Sequence, residues 1–416
     1  MLIMSSEAIL QIIFAIIILN YLVDLLSGLL NYNSFNNKLP ENVSDIYNDK
    51  EYLKSQEYKK ENFRFNLITS SFSFIILIVV LYNGYFGALD SIVRNYTFEN
   101  EISPSILFFF SIYFINDFIS IPFQLYRVFV IEDKYGFNNM TISTFIYDKL
   151  KGYFLSVIIG LLLLVPILIL ILLFPQNFWI YAWVLLSGFM IFLNMFYTSL
   201  IVPLFNKLTP LEEGDLKKSL NDYASNVGFS LSNIFVINGS KRSNKANAFF
   251  TGFGKNKKIV LYDTLIKNHT VPELVAVLAH EVGHYKLKHV ISNLFVSIIT
   301  TGLMLFLMSK ILFNSEVSYA LGGNVSFRHL EILAFFILYT PISRVINILA
   351  FIKSRKNEYE ADNFAVTTYK KSPMISALKK LSKDNLTNLT PHPLFEFINY
   401  SHPSLSKRLK SIEKIV

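Results

Sequence analysis

A histidine–glutamate–histidine motif in the second half of the chain has the residue types and spacing of a metal-dependent hydrolytic site. It reads H-E-V-G-H at positions 280–284, an H-E-x-x-H pattern. Residues four apart lie on the same face of a helix, so the imidazoles of His280 and His284 can bind one zinc ion. Glu281 lies beside the first imidazole, close enough to accept a proton from a water molecule but not to bind the metal. We therefore predict His280 and His284 as zinc ligands and Glu281 as the general base.

A catalytic zinc site needs a third protein ligand and one open position. The best candidates lie directly after the last apolar segment, where Glu358 and Asp362 are four residues apart and would share one helix face. Ala361 and Ala365 lie beside them, and their small side chains would let this helix approach the H-E-x-x-H helix closely. Glu360 would point away. We predict Glu358 as the third ligand and Asp362 as the carboxylate that orients a ligand histidine.

Short elements before the motif predict the scaffold that positions it. Segments 233–237 and 258–262 are short apolar runs typical of strands, and 246–251 alternates loosely before a Gly-Phe-Gly turn at 252–254. We expect a small antiparallel sheet. Residues 270–273 then have the pattern of a capping box with proline in the first turn, which predicts a helix that continues through the H-E-x-x-H motif.

The composition places this site in a membrane protein. Of the 416 residues, 52% are hydrophobic and only 16% are charged, whereas soluble domains are charged at roughly a quarter of their positions. Cysteine is absent from the sequence, which excludes disulfides and thiolate ligands. The net charge of +8 is expected in the loops of a membrane protein, so no nucleic-acid partner is predicted. The segments long enough to cross a bilayer core of about 30 Å are 7–30, 66–88, 103–128, 153–174, 178–205, 290–313 and 330–352.

The distribution of lysine and arginine predicts the orientation. The loops after the first and third segments are basic, whereas the loops after the second, fourth and sixth are not. This asymmetry places the N-terminus outside and the C-terminus in the cytosol. We predict a mostly α, polytopic fold with membrane helices in 1–205 and 290–352. Residues 206–289 and 353–416 would form the two parts of a split cytosolic α+β catalytic domain.

Several separated motifs together resemble one family closely, the Ste24-type integral-membrane CAAX prenyl proteases of the M48 zinc metallopeptidase family. They are H-E-V-G-H at 280–284, E-Y-E-A-D at 358–362, N-A-F-F-T-G at 247–252, Y-S-H-P-S-L-S-K-R at 400–408 and F-V-I-E-D-K-Y-G-F at 129–137. The resemblance covers nearly the whole chain. It implies a zincin-like catalytic domain that covers a water-filled chamber within seven helices. The membrane residues Asp24, Asp117, Glu331 and Arg344 would face that interior.

The resemblance also implies roles for three residues outside the zinc motifs. Asn247 would bind the substrate backbone, which in zinc peptidases commonly lies extended along an edge strand. His402 would stabilise the tetrahedral oxyanion together with the zinc. Arg408 could pair either with Asp362 or with the substrate carboxylate.

The predicted activity is that of a zinc endopeptidase with one Zn²⁺ per chain. The resemblance implies cleavage near the C-terminus of a prenylated CAAX substrate, so the partners would be a peptide or lipidated protein and membrane lipid. The richness in Asn, Lys, Ile and Phe favours a bacterial cytoplasmic membrane, with the endoplasmic reticulum membrane as the location in a eukaryote. In a bacterium the enzyme would degrade membrane proteins for quality control, without a prenyl requirement.

Other protein classes fit the sequence less well. Site-2-type intramembrane proteases place H-E-x-x-H inside an apolar span, but here Glu273, Lys286 and Lys288 flank the motif. An HtpX-type protease would be much shorter. A seven-helix receptor or transporter has no need for an H-E-x-x-H helix followed by a carboxylate helix.

Overall fold

The computed structural model describes residues 4–36, 38–97, 100–229, 234–251 and 258–415. Most of these residues are helical. The helices are α1 (Ser6–Asn33), α2 (Asp49–Tyr82), α3 (Tyr85–Asn95), α4 (Ile102–Tyr126), α5 (Ile142–Leu173), α6 (Phe178–Leu200), α7 (Val202–Phe205), α8 (Asp215–Asn226), α9 (Asp263–Asn268), α10 (Val271–Lys286), α11 (His289–Ile311), α12 (Ser315–Ala320), α13 (Arg328–Thr368), α14 (Lys371–Asp384), α15 (Pro393–Asn399) and α16 (Leu405–Glu413). The strands are β1 (Leu208–Pro210), β2 (Ile234–Ile237), β3 (Ala248–Thr251) and β4 (Lys258–Tyr262).

Seven helices in the described part of the chain are long and apolar enough to cross a membrane. They coincide with the seven predicted spans, and three of them, α2, α5 and α13, extend well beyond the apolar segment. Helix α2 begins at Asp49, behind a capping box formed by Asn48 and Glu51, and therefore carries a polar N-terminal half. Helix α13 continues as one helix to Thr368. It thereby carries Glu358 and Asp362 from the membrane segment directly to the H-E-x-x-H helix.

The end of the second span differs from the prediction. Helix α2 ends at Tyr82, and residues up to Ala88 belong to the separate helix α3. The break lies at Gly84, which has a φ of 64°, a conformation that glycine adopts at little cost. The apolar run in the sequence concealed this turn.

The small sheet has four strands in the order β1–β2–β4–β3. Strand β3 pairs antiparallel with β4 as predicted, but β2 and β4 pair in parallel, so the prediction of a purely antiparallel sheet was wrong. The chain passes from β2 to the outer edge as β3 and returns as β4 beside β2, which gives the parallel pair. Strand β1 was missed because it has only three residues and ends in a proline. Residue 233 and the predicted turn at 252–254 lie outside the described residues.

One hydrophobic core joins the two predicted parts of the catalytic domain. Buried side chains of the first part, such as Leu261 and Leu278, belong to the same cluster as Ala365, Leu378 and Leu409 of the second part. This shared core supports one domain in two parts, although the predicted boundaries stay a prediction.

The ionisable residues of the membrane helices have two kinds of environment. Asp24 and Arg344 are 2.8 Å apart and line a cavity of about 360 Å³ bounded by α1, α13 and α15; that they face a water-filled chamber stays a prediction. Asp117 is held by Lys149 at 2.5 Å and by Tyr153. Glu331 is fully buried and accepts hydrogen bonds from Arg328 and from the Phe313 backbone. It therefore packs inside the protein and does not face a water-filled chamber.

Candidate metal centre and active site

The start of α10 is fixed by the predicted capping box. The backbone N–H of Thr270 donates to Glu273 Oε2 at 2.8 Å, and Lys380 Nζ donates to the same oxygen at 2.7 Å. Ser376 also donates to Glu273. Helix α10 is buried from Glu273 to His280, so the carboxylate links the start of the active-site helix to α14. These contacts of Glu273 fix the rotation of α10 about its axis and so the direction in which His280 and His284 point.

We expect Glu273→Gln to lower the free energy of unfolding at pH 7 by about 1–3 kcal/mol, since it removes hydrogen bonds to a buried charge. Burial raises the pKa of Glu273, but Lys380, Ser376 and Thr270 outweigh it and lower the pKa to about 2. This stabilisation is present above the ordinary carboxyl pKa and is lost as the pH falls from there towards about 2. Thermal unfolding should therefore separate wild type from variant by more at pH 7 than at pH 3, and the difference should disappear only below about pH 2. The exposed Glu413→Gln is the control, and an equal difference at both pH values would contradict the assignment.

Helices α10 and α13 approach closely where the site forms. A Cβ atom built on Gly283 would lie 3.2 Å from Ala361 Cα and 3.1 Å from Phe364 Cβ. Ala361 and Ala365 are fully buried, as the sequence predicted. Small residues on both helices thus bring the carboxylate helix within reach of the two imidazoles.

Three potential ligand atoms converge between these helices. His280 Nε2 and His284 Nε2 are 3.1 Å apart. Glu358 Oε1 lies 3.2 Å from His284 Nε2, and Glu358 Oε2 lies 3.6 Å from His280 Nε2. Bonds of about 2.0–2.1 Å to a tetrahedral zinc ion separate its ligand atoms by about 3.3 Å. The spacing and the two-nitrogen, one-oxygen donor set therefore fit a zinc ion, and Glu358 lies where the predicted third ligand would bind.

The other nitrogen of each imidazole lies close to a polar side-chain atom. His280 Nδ1 lies 2.9 Å from Asp362 Oδ1, so Asp362 has the orienting position that the sequence predicted. His284 Nδ1 lies 2.9 Å from His289 Nδ1, and His289 Nε2 lies 3.0 Å from Glu360 Oε2. Sequence reasoning missed this second chain of contacts. Glu360 does point away from the ligand cluster, but it supports His284 through His289.

Arg408 pairs with Asp362, which is the first of the two partners that the sequence left open. Its Nε and Nη2 donate to the two Asp362 oxygens at 2.8 and 2.5 Å. Its Nη1 lies 3.3 Å from Glu358 Oε2. The buried guanidinium thus balances two buried carboxylates and connects the C-terminal helix α16 to the site.

Glu281 lies next to the edge strand β3, where the backbone of Phe250 donates a hydrogen bond to its carboxylate. Burial raises the pKa of its carboxyl, whereas His280, His284 and a backbone hydrogen bond from Phe250 in β3 lower it, and the pKa lies above the ordinary carboxyl value. A raised pKa makes the carboxylate a stronger base, and it brings the pKa closer to neutral pH, where one group can both accept a proton and return it. Its position fits a proton-transfer group between the histidines and a peptide beside β3.

Asn247 and His402 lie on one cleft next to the ligand cluster. The cleft has a volume of about 470 Å³, and Arg408 also lines it. His402 is exposed, but its Nδ1 lies 3.1 Å from Glu358 Oε1. Asn247 directly precedes β3, an edge strand of the sheet. The structure therefore brings together all eight residues predicted for the site.

The chain has seven membrane-spanning helices, and two histidines of one helix meet a carboxylate of another. This combination defines a membrane metalloprotease. Family comparisons agree. The family described as CAAX prenyl protease N-terminal, five membrane helices, matches residues 29–207, and peptidase family M48 matches residues 210–416. The chain belongs to peptidase family M48 and is a zinc metalloprotease of the Ste24 type.

The chain is similar to these relatives over most of its length. "Probable CAAX prenyl protease 1" of Schizosaccharomyces pombe is 34% identical over 398 residues, which cover 90% of this chain and 82% of the relative. "CAAX prenyl protease 1 homolog" of Arabidopsis thaliana is 34% identical over 390 residues and 90% of each chain. The crystal structure of S. mikatae Ste24p is 31% identical and superposes with a TM-score of 0.92 over 97% of this chain and 99% of that one. The seven-helix chamber fold of the Ste24 type is thereby established.

Proposed function

We propose that this protein is a zinc endopeptidase that cleaves prenylated, CAAX-type substrates near their C-terminus. The observation that carries the proposal is the convergence of His280, His284 and Glu358 beside a cleft at the ends of the membrane helices. The two relatives from Schizosaccharomyces pombe and Arabidopsis thaliana are named as CAAX prenyl proteases, which supports a prenylated substrate. A lipidated peptide would reach such a site from the bilayer.

In this proposal His280, His284 and Glu358 hold one zinc ion per chain. When bound, the ion supplies Lewis acidity that polarises the scissile carbonyl and promotes the ionisation of water. Asp362 orients His280, and Arg408 holds the Asp362 and Glu358 carboxylates in place. Buried partners of this kind fix the orientation of ligand side chains.

Protein groups around the ligands perform the proton transfers and position the peptide. Glu281 accepts a proton from the attacking water and later delivers it to the leaving amine. His402 donates a hydrogen bond to the oxyanion that develops on the scissile carbonyl. Asn247 hydrogen-bonds to the backbone of a peptide that extends along β3.

The lysine and arginine asymmetry of the loops supports a catalytic domain on the cytosolic side. The sequence-based preference for a bacterial cytoplasmic membrane stays a prediction. The eukaryotic source of the two curated relatives supports the other location, the endoplasmic reticulum membrane.

Mass spectrometry of the products from a farnesylated CAAX peptide and from the same peptide without its lipid tests this function. We expect release of the C-terminal tripeptide from the farnesylated peptide, loss of that activity with a chelator and recovery with about one equivalent of Zn²⁺ per chain. Cleavage that persists in chelator would contradict the zinc mechanism. Equal cleavage of both peptides would instead favour the quality-control protease without a prenyl requirement.

A further inference from the structure

The active-site cleft contains a cation that the proposed reaction does not use. Lys59, from the polar N-terminal half of α2, lines the cleft together with Asn247, His402 and Arg408. Asp and Glu are absent from the described residues that line it. The cleft therefore carries positive charge without a carboxylate of its own.

Lys59 has no ion-pair partner among the residues that the structure describes. The charge of Glu132 acts on Lys59, but Lys245 Nζ and the Tyr58 hydroxyl each donate to Glu132 at 2.6 Å. Lys245 balances the charge of Glu132, so the charge of half-buried Lys59 is left uncompensated. The Lys59 ammonium lies 5.2 Å from the centre of the Tyr58 ring. A cation in this setting gains from binding an anion, because burial weakens its hydration.

Arg408 is not available for the same task. Its guanidinium is committed to Asp362 and Glu358, and only 13% of its side chain is exposed. Among the described residues that line the cleft, Lys59 is the one lysine and Arg408 the one arginine. Lys59 is therefore the cation that can bind a ligand there. The second partner suggested for Arg408, the substrate carboxylate, fits Lys59 instead.

We propose that Lys59 binds the C-terminal carboxylate of the peptide substrate and so fixes the distance between the chain end and the cleaved bond. The proposal rests on the proposed function, since a tripeptide leaving group ends in a free carboxylate. Three extended residues span about 10 Å, so a group that recognises the carboxylate belongs at the cleft wall and not beside Glu281. The polar N-terminal half of α2 extends from the membrane to this wall.

A pair of farnesylated peptides that differ only at the C-terminus, free carboxylate or carboxamide, tests the proposal. We expect the wild-type enzyme to prefer the carboxylate by about tenfold or more in kcat/KM, mainly through KM, because a charge-assisted hydrogen bond is lost with the amide. Lys59→Met should bring this ratio close to one, and Lys59→Arg should retain most of the preference. Lys54→Met, at an exposed position on the same helix, is the matched control and should keep the wild-type ratio.

A binding measurement separates this proposal from the proposed function. The inactive Glu281→Gln protein should bind the carboxylate peptide more tightly than the carboxamide peptide. The double variant Glu281→Gln, Lys59→Met should bind the two peptides equally. If the wild type cleaves neither peptide, the proposed function fails, and the binding measurement still decides the role of Lys59. Equal treatment of the two peptides by the wild type, or an unchanged preference in Lys59→Met, would overturn the proposal.

Discussion

Glu281→Gln should abolish peptide cleavage and leave one zinc ion bound per chain. Glutamine has the shape of glutamate but cannot accept the proton of the attacking water. Loss of a general base costs about 10²–10⁴-fold in rate, and this residue also serves as the acid in the proposed mechanism, so we expect an effect at the upper end. The cleavage rate on the farnesylated peptide and the zinc content of the purified protein are the two measurements.

The zinc content decides how a loss of activity is interpreted. Glu281 is not among the three residues whose ligand atoms converge, so its substitution should not release the ion. Glu57→Gln, at an exposed position of α2, is the control for the loss of a carboxylate. Full activity in Glu281→Gln would end the assignment of the base, and loss of zinc together with activity would give Glu281 a structural role.

Local patterns were sufficient to predict the membrane helices and most of the metal site. The seven spans follow from hydropathy, and the positions of His280, His284 and Glu358 follow from helical spacing and a small-residue face. These signals depend only on neighbouring residues in the chain. The α10 capping box was predictable for the same reason, because Thr270 and Glu273 are three residues apart.

Contacts between distant segments were not predictable. The parallel pairing of β2 with β4 depends on the path of the chain through β3. The partner of Arg408 lies 46 residues away, and sequence alone could not decide between Asp362 and the substrate. Glu360 supports the site through His289, a histidine five residues beyond the motif, because packing of α13 against α10 brings the two together.

Glu358→Ala should lose the bound zinc as well as the activity. In the proposed site this residue supplies the oxygen ligand, whereas Glu360, two positions further along α13, forms ion pairs only with His289 and Lys356 among the described residues. Substitution of residues that merely orient a ligand costs about 10–100-fold in metal affinity, so loss of the ligand itself should cost more than about 100-fold. Zinc titration in a competing chelator measures this directly.

Glu360→Ala is the matched control, with the same change on the same helix. We expect it to retain one zinc ion, with affinity lowered by about tenfold at most, because it acts only through His289. Added Zn²⁺ should raise the unfolding temperature of wild type and Glu360→Ala but not of Glu358→Ala, since a ligand stabilises only the fold that binds it. Retention of zinc in Glu358→Ala with its loss in Glu360→Ala would instead make Glu360 the third ligand. That result would also require α13 to rotate, since Ala361 and Gly283 now hold the Glu358 face against the two histidines.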